Sequence, residues 1–285
     1  MNTNEFPVAL ETTLLAHGVP AASALPLYDR LTDICVSEGA TGRLIGIVGG
    51  RSTTEMTRDE LGILLRDGAT KVNTANLGLA MFRKQSAATT VSTTMELASQ
   101  AGIRVFATGG LGGIHPGYGS KLDISADLAA FTRFPVAVVT SGVKSILEVE
   151  STREAFETLG VTVVGFGTDR FPAFYLRESA ATVDARFDDV DELADFLDFE
   201  LSRTGRGIVV GHPIPAEHAV DPVRWSEWLA TAREMTRHTD GRDVTPALLS
   251  TLAEISGGRT LAANLALIEA NTRLASQLAV RMASR

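Results

Sequence analysis

The chain is short of cysteine, short of basic charge and without an apolar run of membrane-spanning length. Cys35 is its one cysteine in 285 residues, so no intrachain disulfide can form, as is usual in a reducing compartment. Lys and Arg number 26 against 34 Asp and Glu, a net charge of −8. That balance excludes non-specific binding to nucleic acid or to an anionic membrane, which needs a basic surface. It leaves room for a small basic pocket that takes one phosphate. The longest stretches without Asp, Glu, Lys or Arg, Thr12–Tyr28 and Val105–Ser120, are broken by Gly and Pro and fall short of the roughly 20 apolar residues of a span. Met1–Pro7 lacks the basic and apolar regions of a signal peptide. No internal repeat or low-complexity linker interrupts the sequence. A soluble, cytoplasmic, single domain over 1–285 is expected.

What is present is an alternation of short β-branched runs with amphipathic stretches. Leu44–Val48, Lys71–Asn73, Ile103–Ala107, Val136–Val139, Val161–Val164 and Ile208–Val210 read as strands. Thr57-Arg58-Asp59-Glu60 is a capping box opening a helix. Further helices are expected over Thr89–Gln100, Ser125–Phe131, Ile146–Leu159 and Asp188–Arg203, and through most of the chain after Asp221 with a break at Gly257-Gly258. Repeated β-α-β order with continuous apolar strands predicts an α/β fold: a three-layer α/β/α sandwich with a mostly parallel central sheet and a helical C-terminal third. Ligands of such sheets sit beyond the carboxyl ends of the strands. Those positions are Thr108–Gly113, Thr140–Lys144, Gly165–Asp169 and Gly211-His212-Pro213.

Several residues there can carry chemistry. Lys144 follows a strand and a Thr-Ser-Gly-Val turn and is expected to open a helix, whose positive end disfavours an ammonium. A neutral amine suits Schiff-base chemistry; the alternative is a solvated lysine. Asp123-Ile124-Ser125-Ala126-Asp127 spaces two carboxylates and a hydroxyl as a hard divalent cation or a helix N-cap would use them. An EF-hand is excluded, because Leu128 and Phe134 stand where its Gly and bidentate Glu belong. Gly109–Gly113 is either a phosphate-cradling loop or a tight turn. Glu11, alone in an uncharged stretch, is either a buried general acid or an exposed residue near the terminus. Lys71 can meet a phosphate as a point charge or lie on the surface. His17 and His115 each sit close to a glycine, where a structural role is the alternative to a functional one. Thr89–Thr94 offers hydroxyls or is helix surface.

Taken in order, Ala9-Leu10-Glu11-Thr12-Thr13, His17-Gly18, Thr70-Lys71-Val72, Ala88-Thr89-Thr90-Val91, Val105–Gly110, Asp123–Leu128, Gly142–Leu147, Gly167-Thr168-Asp169, Pro213-Ile214-Pro215, Thr245-Pro246 and Leu261–Asn264 resemble the pseudouridine-5'-phosphate glycosidase family, which includes the proteins called indigoidine synthase A. The resemblance implies making or breaking the carbon–carbon bond between C1' of ribose 5-phosphate and C5 of uracil, with a divalent metal, typically Mn²⁺, in a homotrimer. It implies Lys144 as the lysine forming a Schiff base with the opened sugar and Glu11 as proton donor. Asp123 matches the metal ligand. Lys71, Val91, Ser125, Ala126 and Asp127 match substrate-binding positions, and Asn264 matches an asparagine that reads the base. The chemistry is consistent with the residues, because a carbon leaving group cannot depart by protonation of an oxygen between two carboxylates, whereas an iminium at C1' is an electron sink.

The chain departs from the family pattern at several points. Asn73-Thr74-Ala75-Asn76 replaces a serine, two arginines and an acid. His115-Pro116-Gly117 replaces His-Arg-Gly and keeps the histidine, a further substrate-contact candidate. Gly165-Phe166 replaces Gly-Tyr, and His212 replaces the asparagine before Pro-Ile-Pro. The lysine, glutamate and metal positions stay intact, which predicts a C-nucleoside synthase on an aglycone other than uracil. A degradative glycosidase, a phosphosugar aldolase or isomerase using Lys144, and a silent sugar-phosphate-binding protein are the alternatives.

Overall fold

The strand segments assemble into the middle layer of a sandwich, the central ones largely buried on both faces and Arg51–Thr53, Thr70–Val72 and Ala185–Phe187 partly exposed. In the computed structural model, which describes residues 6–237, 239 and 244–283, they are β1 (Pro7–Glu11), β2 (Thr41–Val48), β3 (Arg51–Thr53), β4 (Thr70–Val72), β5 (Ala87–Thr89), β6 (Val105–Ala107), β7 (Ala137–Thr140), β8 (Val163–Phe166), β9 (Ala185–Phe187) and β10 (Ile208–Gly211). Met1–Glu5 and the side chains of Thr245 and Pro246 lie outside the described residues. The strands form one sheet in the order β4-β5-β2-β1-β6-β7-β10-β8-β9, with β3 paired to β2. From β2 through β1, β6, β7, β10 and β8 to β9 every pairing is parallel. The mostly parallel sheet is therefore as predicted, but β2 pairs antiparallel with both β3 and β5.

Two helical layers cover the sheet. The C-terminal helix Arg259–Ala283 packs on β1, β6 and β7, flanked by helices Ala21–Ser37 and Val190–Thr204. On the other side helix Val91–Gln100 packs on β1, β2 and β5, with helix Ala126–Phe131 against it. The helical C-terminal third continues through Pro222–Met235 and Val244–Ile255. None of the described helices is long and apolar enough to cross a membrane. The capping box forms as expected: Thr57 accepts from the Glu60 N–H, and the Glu60 carboxylate accepts from the Thr57 N–H at 2.8 Å.

Two sequence expectations change, and one strand is unannounced. The helix after β7 begins at Val149 rather than Ile146, so Lys144 sits in the turn before that helix and does not open it. Thr89 belongs to β5, and Thr89, Thr90, Ser92, Thr93 and Thr94 are all buried. Their hydroxyls are used inside the protein, Thr89 and Thr12 both donating to the Ile45 carbonyl and Thr93 to that of Val72. Pro7–Glu11, which carries no strand signature of its own, lies near the centre of the sheet.

Candidate active site

The register Leu10↔Ala107↔Val139 and Gly211↔Thr140 brings the carboxyl ends of β1, β6, β7 and β10 to one edge. The chain runs from β1 to β2 on one side, and places β6 on the other. The β1/β6 crevice is thus a topological switch point, where parallel sheets bind ligands. Glu11 is the last residue of β1 and is 8% exposed. Thr108, just after β6, donates its hydroxyl to Oε1 of Glu11 at 2.5 Å. Burial pushes the Glu11 carboxyl above the usual range; the charge of Lys144 and the Thr108 hydrogen bond pull it down, Asp127 pushes it up, and Lys71 pulls it down. Four of the sequence candidates, Glu11, Lys71, Asp127 and Lys144, therefore share one electrostatic site.

Asp127 has a further task. Its Oδ1 accepts from the Ser92 N–H at 3.0 Å and its Oδ2 from the Gly112 N–H at 2.8 Å. One buried carboxylate thus ties the N-terminus of helix Val91–Gln100, where Val91 is the first residue, to the glycine loop after β6. A Cβ on Gly112 would lie 2.3 Å from Ser125 Oγ and 2.7 Å from Asp127 Oδ2, so only glycine fits. Of the two readings of Gly109–Gly113, these contacts fit the tight turn: the Leu111 N–H is given to the Gly142 carbonyl and the Gly112 N–H to Asp127. Ser125 is the N-cap of helix Ala126–Phe131, accepting from the Asp127 N–H, and Ala126 is the first helical residue.

Lys144 hangs from the turn after β7, its N–H donating to the Leu111 carbonyl. That turn is pinned from above by Pro172–Tyr175. Gly142 has φ +82°, and a Cβ there would lie 1.7 Å from the Pro172 carbonyl oxygen. Phe174 N–H donates to the Ser141 carbonyl at 2.7 Å, and Ser145 Oγ donates to the Ala173 carbonyl. Phe174 holds φ +60°, strained for an aromatic residue by about 1–3 kcal/mol, with its ring against Gly109 and Gly110. Nothing in the local sequence announces this clamp.

The C-terminal helix contributes two asparagines. Asn264, 5% exposed, donates Nδ2 to the Gly18 carbonyl at 3.0 Å. Its Oδ1 is buried beside Gly109 without a partner among the described residues. Asn271, which sequence reading missed, is fully buried. Its Nδ2 donates to the Thr108 carbonyl at 2.9 Å and to Ser141 Oγ at 3.2 Å, while its Oδ1 lies 3.1 Å from His212 Nδ1. An amide oxygen only accepts, so Nδ1 of His212 carries the hydrogen and the neutral ring keeps its lone pair on Nε2. Burial lowers the His212 pKa, which favours that neutral ring. His17, exposed at the Lys71 end of the site, has Nε2 3.0 Å from the Ala69 carbonyl.

Asp123 and His115 stand apart from the buried cluster, on the loop that follows the glycines. Their side chains are 61% and 27% exposed, with Asp123 Oδ2 3.8 Å from His115 Nδ1. The described residues contain no group of three or more His, Cys, Asp or Glu placed to hold a metal. One exposed carboxylate suits a hard cation that keeps most of its waters, not a closed protein cage.

Residues 1–281 match the family model described as Indigoidine synthase A like protein. The chain belongs to that family. It is 39% identical over 290 residues to the pseudouridine-5'-phosphate glycosidase of Symbiobacterium thermophilum, covering 99% of this chain and 94% of that protein. It is 40% identical over 277 residues to the protein of the same name from Nocardioides sp. (95% and 90%). Among solved structures, an indigoidine synthase A-like protein from Thermotoga maritima superposes with TM-score 0.92 at 37% identity, over 99% of this chain and 95% of that one. The prealnumycin C-glycosynthase AlnA, solved in complex with ribulose 5-phosphate, superposes with TM-score 0.89 at 31% identity, over 97% and 91%. The chain is accordingly an enzyme of the C-glycosidase and C-glycosynthase type.

Proposed function

We propose that this enzyme joins C1' of a pentose 5-phosphate to a carbon of a heterocyclic or enolic aglycone other than uracil, through a Schiff base on Lys144. The observation that carries the reading is the buried Glu11 carboxyl sharing a site with Lys144 at the β1/β6 crevice. A proton passed from the Lys144 ammonium to Glu11 leaves an amine and an acid, the two species the chemistry needs. Written as cleavage, Glu11 gives its proton to the ring oxygen as the sugar opens. Nζ of Lys144 adds to C1', and the C1'–C electron pair leaves with the aglycone carbon, which is then protonated. Water hydrolyses the iminium, releasing sugar phosphate and lysine. Synthesis is the reverse sequence. Lys71 meets the phosphate as a cation, with Val91, Ser125 and Ala126 lining the same end and Asp127 holding that wall in place. The buried Oδ1 of Asn264 takes an N–H or O–H of the aglycone. Asp123, with His115 near it, would hold the divalent cation, Mn²⁺ by family resemblance, which when bound neutralises charge on the sugar phosphate.

The departures from the family support a changed aglycone. Thr74 and Ala75 stand where the arginines are expected, and the flanking Asn73 and Asn76 close the turn on itself: the Asn73 N–H donates to Asn76 Oδ1 at 2.8 Å and the Ala75 N–H to Asn73 Oδ1 at 3.0 Å. The test is borohydride trapping with ribose 5-phosphate and, separately, ribulose 5-phosphate, read by intact mass and peptide mapping. A reduced adduct on Lys144 is expected. No adduct, or a label on Lys71, overturns the mechanism.

A further inference from the structure

Among the described residues the Glu11 carboxylate has one hydrogen-bond donor, and that donor is itself anchored by the C-terminal helix. Thr108 Oγ donates to Oε1 of Glu11 at 2.5 Å. The Thr108 backbone is fixed on both sides: its N–H donates to the Val139 carbonyl at 3.0 Å, and its carbonyl accepts from Asn271 Nδ2 at 2.9 Å. The same Nδ2 donates to Ser141 Oγ at 3.2 Å, so one side-chain amide joins the residues that follow β6 and β7. The amide cannot turn over, because its Nδ2 faces a carbonyl that only accepts and its Oδ1 faces His212 Nδ1. A buried amide with all these partners made is a rigid part.

We propose that Asn271 and Thr108 are positioning residues for Glu11: Asn271 holds Thr108 so that its hydroxyl engages Oε1, which leaves Oε2 as the oxygen that gives and takes the catalytic proton. The inference rests on the acid role of Glu11 proposed above. A hydroxyl that donates to a carboxylate stabilises the ionised form, so the contact opposes the effect of burial and brings the acid back toward working pH. The charged groups facing Glu11 are Lys144 from the β7 turn, Asp127 from helix Ala126–Phe131 and Lys71 from β4. None of them is altered when the hydroxyl is removed. His212 completes the chain of contacts by filling Asn271 Oδ1, and its replacement is expected to act in the same direction but less.

Thr108→Val keeps the shape and loses the hydroxyl; Thr108→Ser keeps the hydroxyl; Asn271→Ala frees the Thr108 carbonyl. Glu11 is titrated directly by infrared spectroscopy of protein carrying ¹³C-labelled glutamate, its band identified by subtraction of Glu11→Gln. The pH dependence of kcat is measured alongside. Loss of the hydroxyl is expected to move the Glu11 titration, and the basic limb of kcat, upward by about one pH unit. Thr108→Ser returns both to within a few tenths of the wild-type position, and Asn271→Ala moves them upward by a smaller amount. An unmoved titration in Thr108→Val overturns the inference, even where kcat falls, since a purely structural role lowers kcat without shifting a protonation midpoint. An unmoved titration in Asn271→Ala removes Asn271 from it. A wild-type enzyme with a normal Glu11 titration but no C–C activity on any pentose 5-phosphate refutes the functional reading instead, so the two failures are distinct.

Discussion

Glu11 is placed where its ionisation opposes folding. Its folded-state pKa is raised by burial. Below the ordinary glutamate range both folded and unfolded chains hold the proton, and the residue exerts no penalty. As pH rises, the unfolded chain releases its proton first, and the folded state loses stability until the folded-state pKa is passed. Glu11→Gln should therefore abolish turnover and yet melt higher than wild type at pH 8. The gap should grow between pH 5 and 8 by about 1.4 kcal/mol per unit of elevation. Melting temperatures of both proteins across that range decide it; parallel curves refute the burial argument. Gly142 makes the opposite case. With φ +82° and a Cβ position 1.7 Å from the Pro172 oxygen, Gly142→Ala is expected to lose more than about 3 kcal/mol and to lower the denaturation midpoint accordingly. At this scale Glu11 was legible, because one acid in an uncharged stretch signals burial. Thr108 and Asn271 were not, because their partners are backbone groups and side chains far away in sequence, and no spacing encodes those.

Elements were legible where their burial was uniform. The β7, β8 and β10 segments are largely buried on both faces and read as continuous apolar runs, with ends displaced by at most two residues. β1 was missed because it closes on a carboxylate and runs straight into helix Thr12–His17. The antiparallel β2–β5 pair was missed because Ala87–Thr89 has no apolar bulk, and its one hydroxyl, of Thr89, faces a partner inside the fold. Lys144 was assigned a helix end it does not have, since the apolar Ile146-Leu147 that suggested a helix is buried in the turn before it. Asp127 shows how elements are joined at the site. Asp127→Ala strands the Ser92 and Gly112 N–H groups, each a charge-assisted bond of about 1.5–3 kcal/mol. A loss of about 3 kcal/mol is expected in urea denaturation, together with a KM increase for sugar phosphate exceeding tenfold. Unchanged stability would mean that the clamp holds nothing.

For the whole molecule, the family match gives the C-glycosidase and C-glycosynthase type, and the proposed change of aglycone sets its specificity. Cleavage of pseudouridine 5'-phosphate at saturating Mn²⁺ is expected to stay well below a kcat/KM of about 10⁴ M⁻¹s⁻¹, the lower end of ordinary enzymes. A value above it makes this a degradative glycosidase. Chelation should stop turnover, Mn²⁺ should restore it, and Asp123→Ala should prevent the restoration; full activity of that variant in chelator removes Asp123 as the ligand.

The C-terminal helix Arg259–Ala283 covers β1, β6 and β7 and brings Asn264 to Gly18 and Asn271 to Thr108, the donor to Glu11. During synthesis, at about 5–20 residues per second, the acid and the lysine are made long before the helix that sets them. Until that helix is made, the growing chain carries Glu11 and Lys144 without the asparagines that reach Gly18 and Thr108. Ribosome-bound chains stopped before Arg259 should bind hydrophobic dyes and form no borohydride adduct. Chains long enough for Ala283 to clear the ribosome should gain folding and adduct formation together.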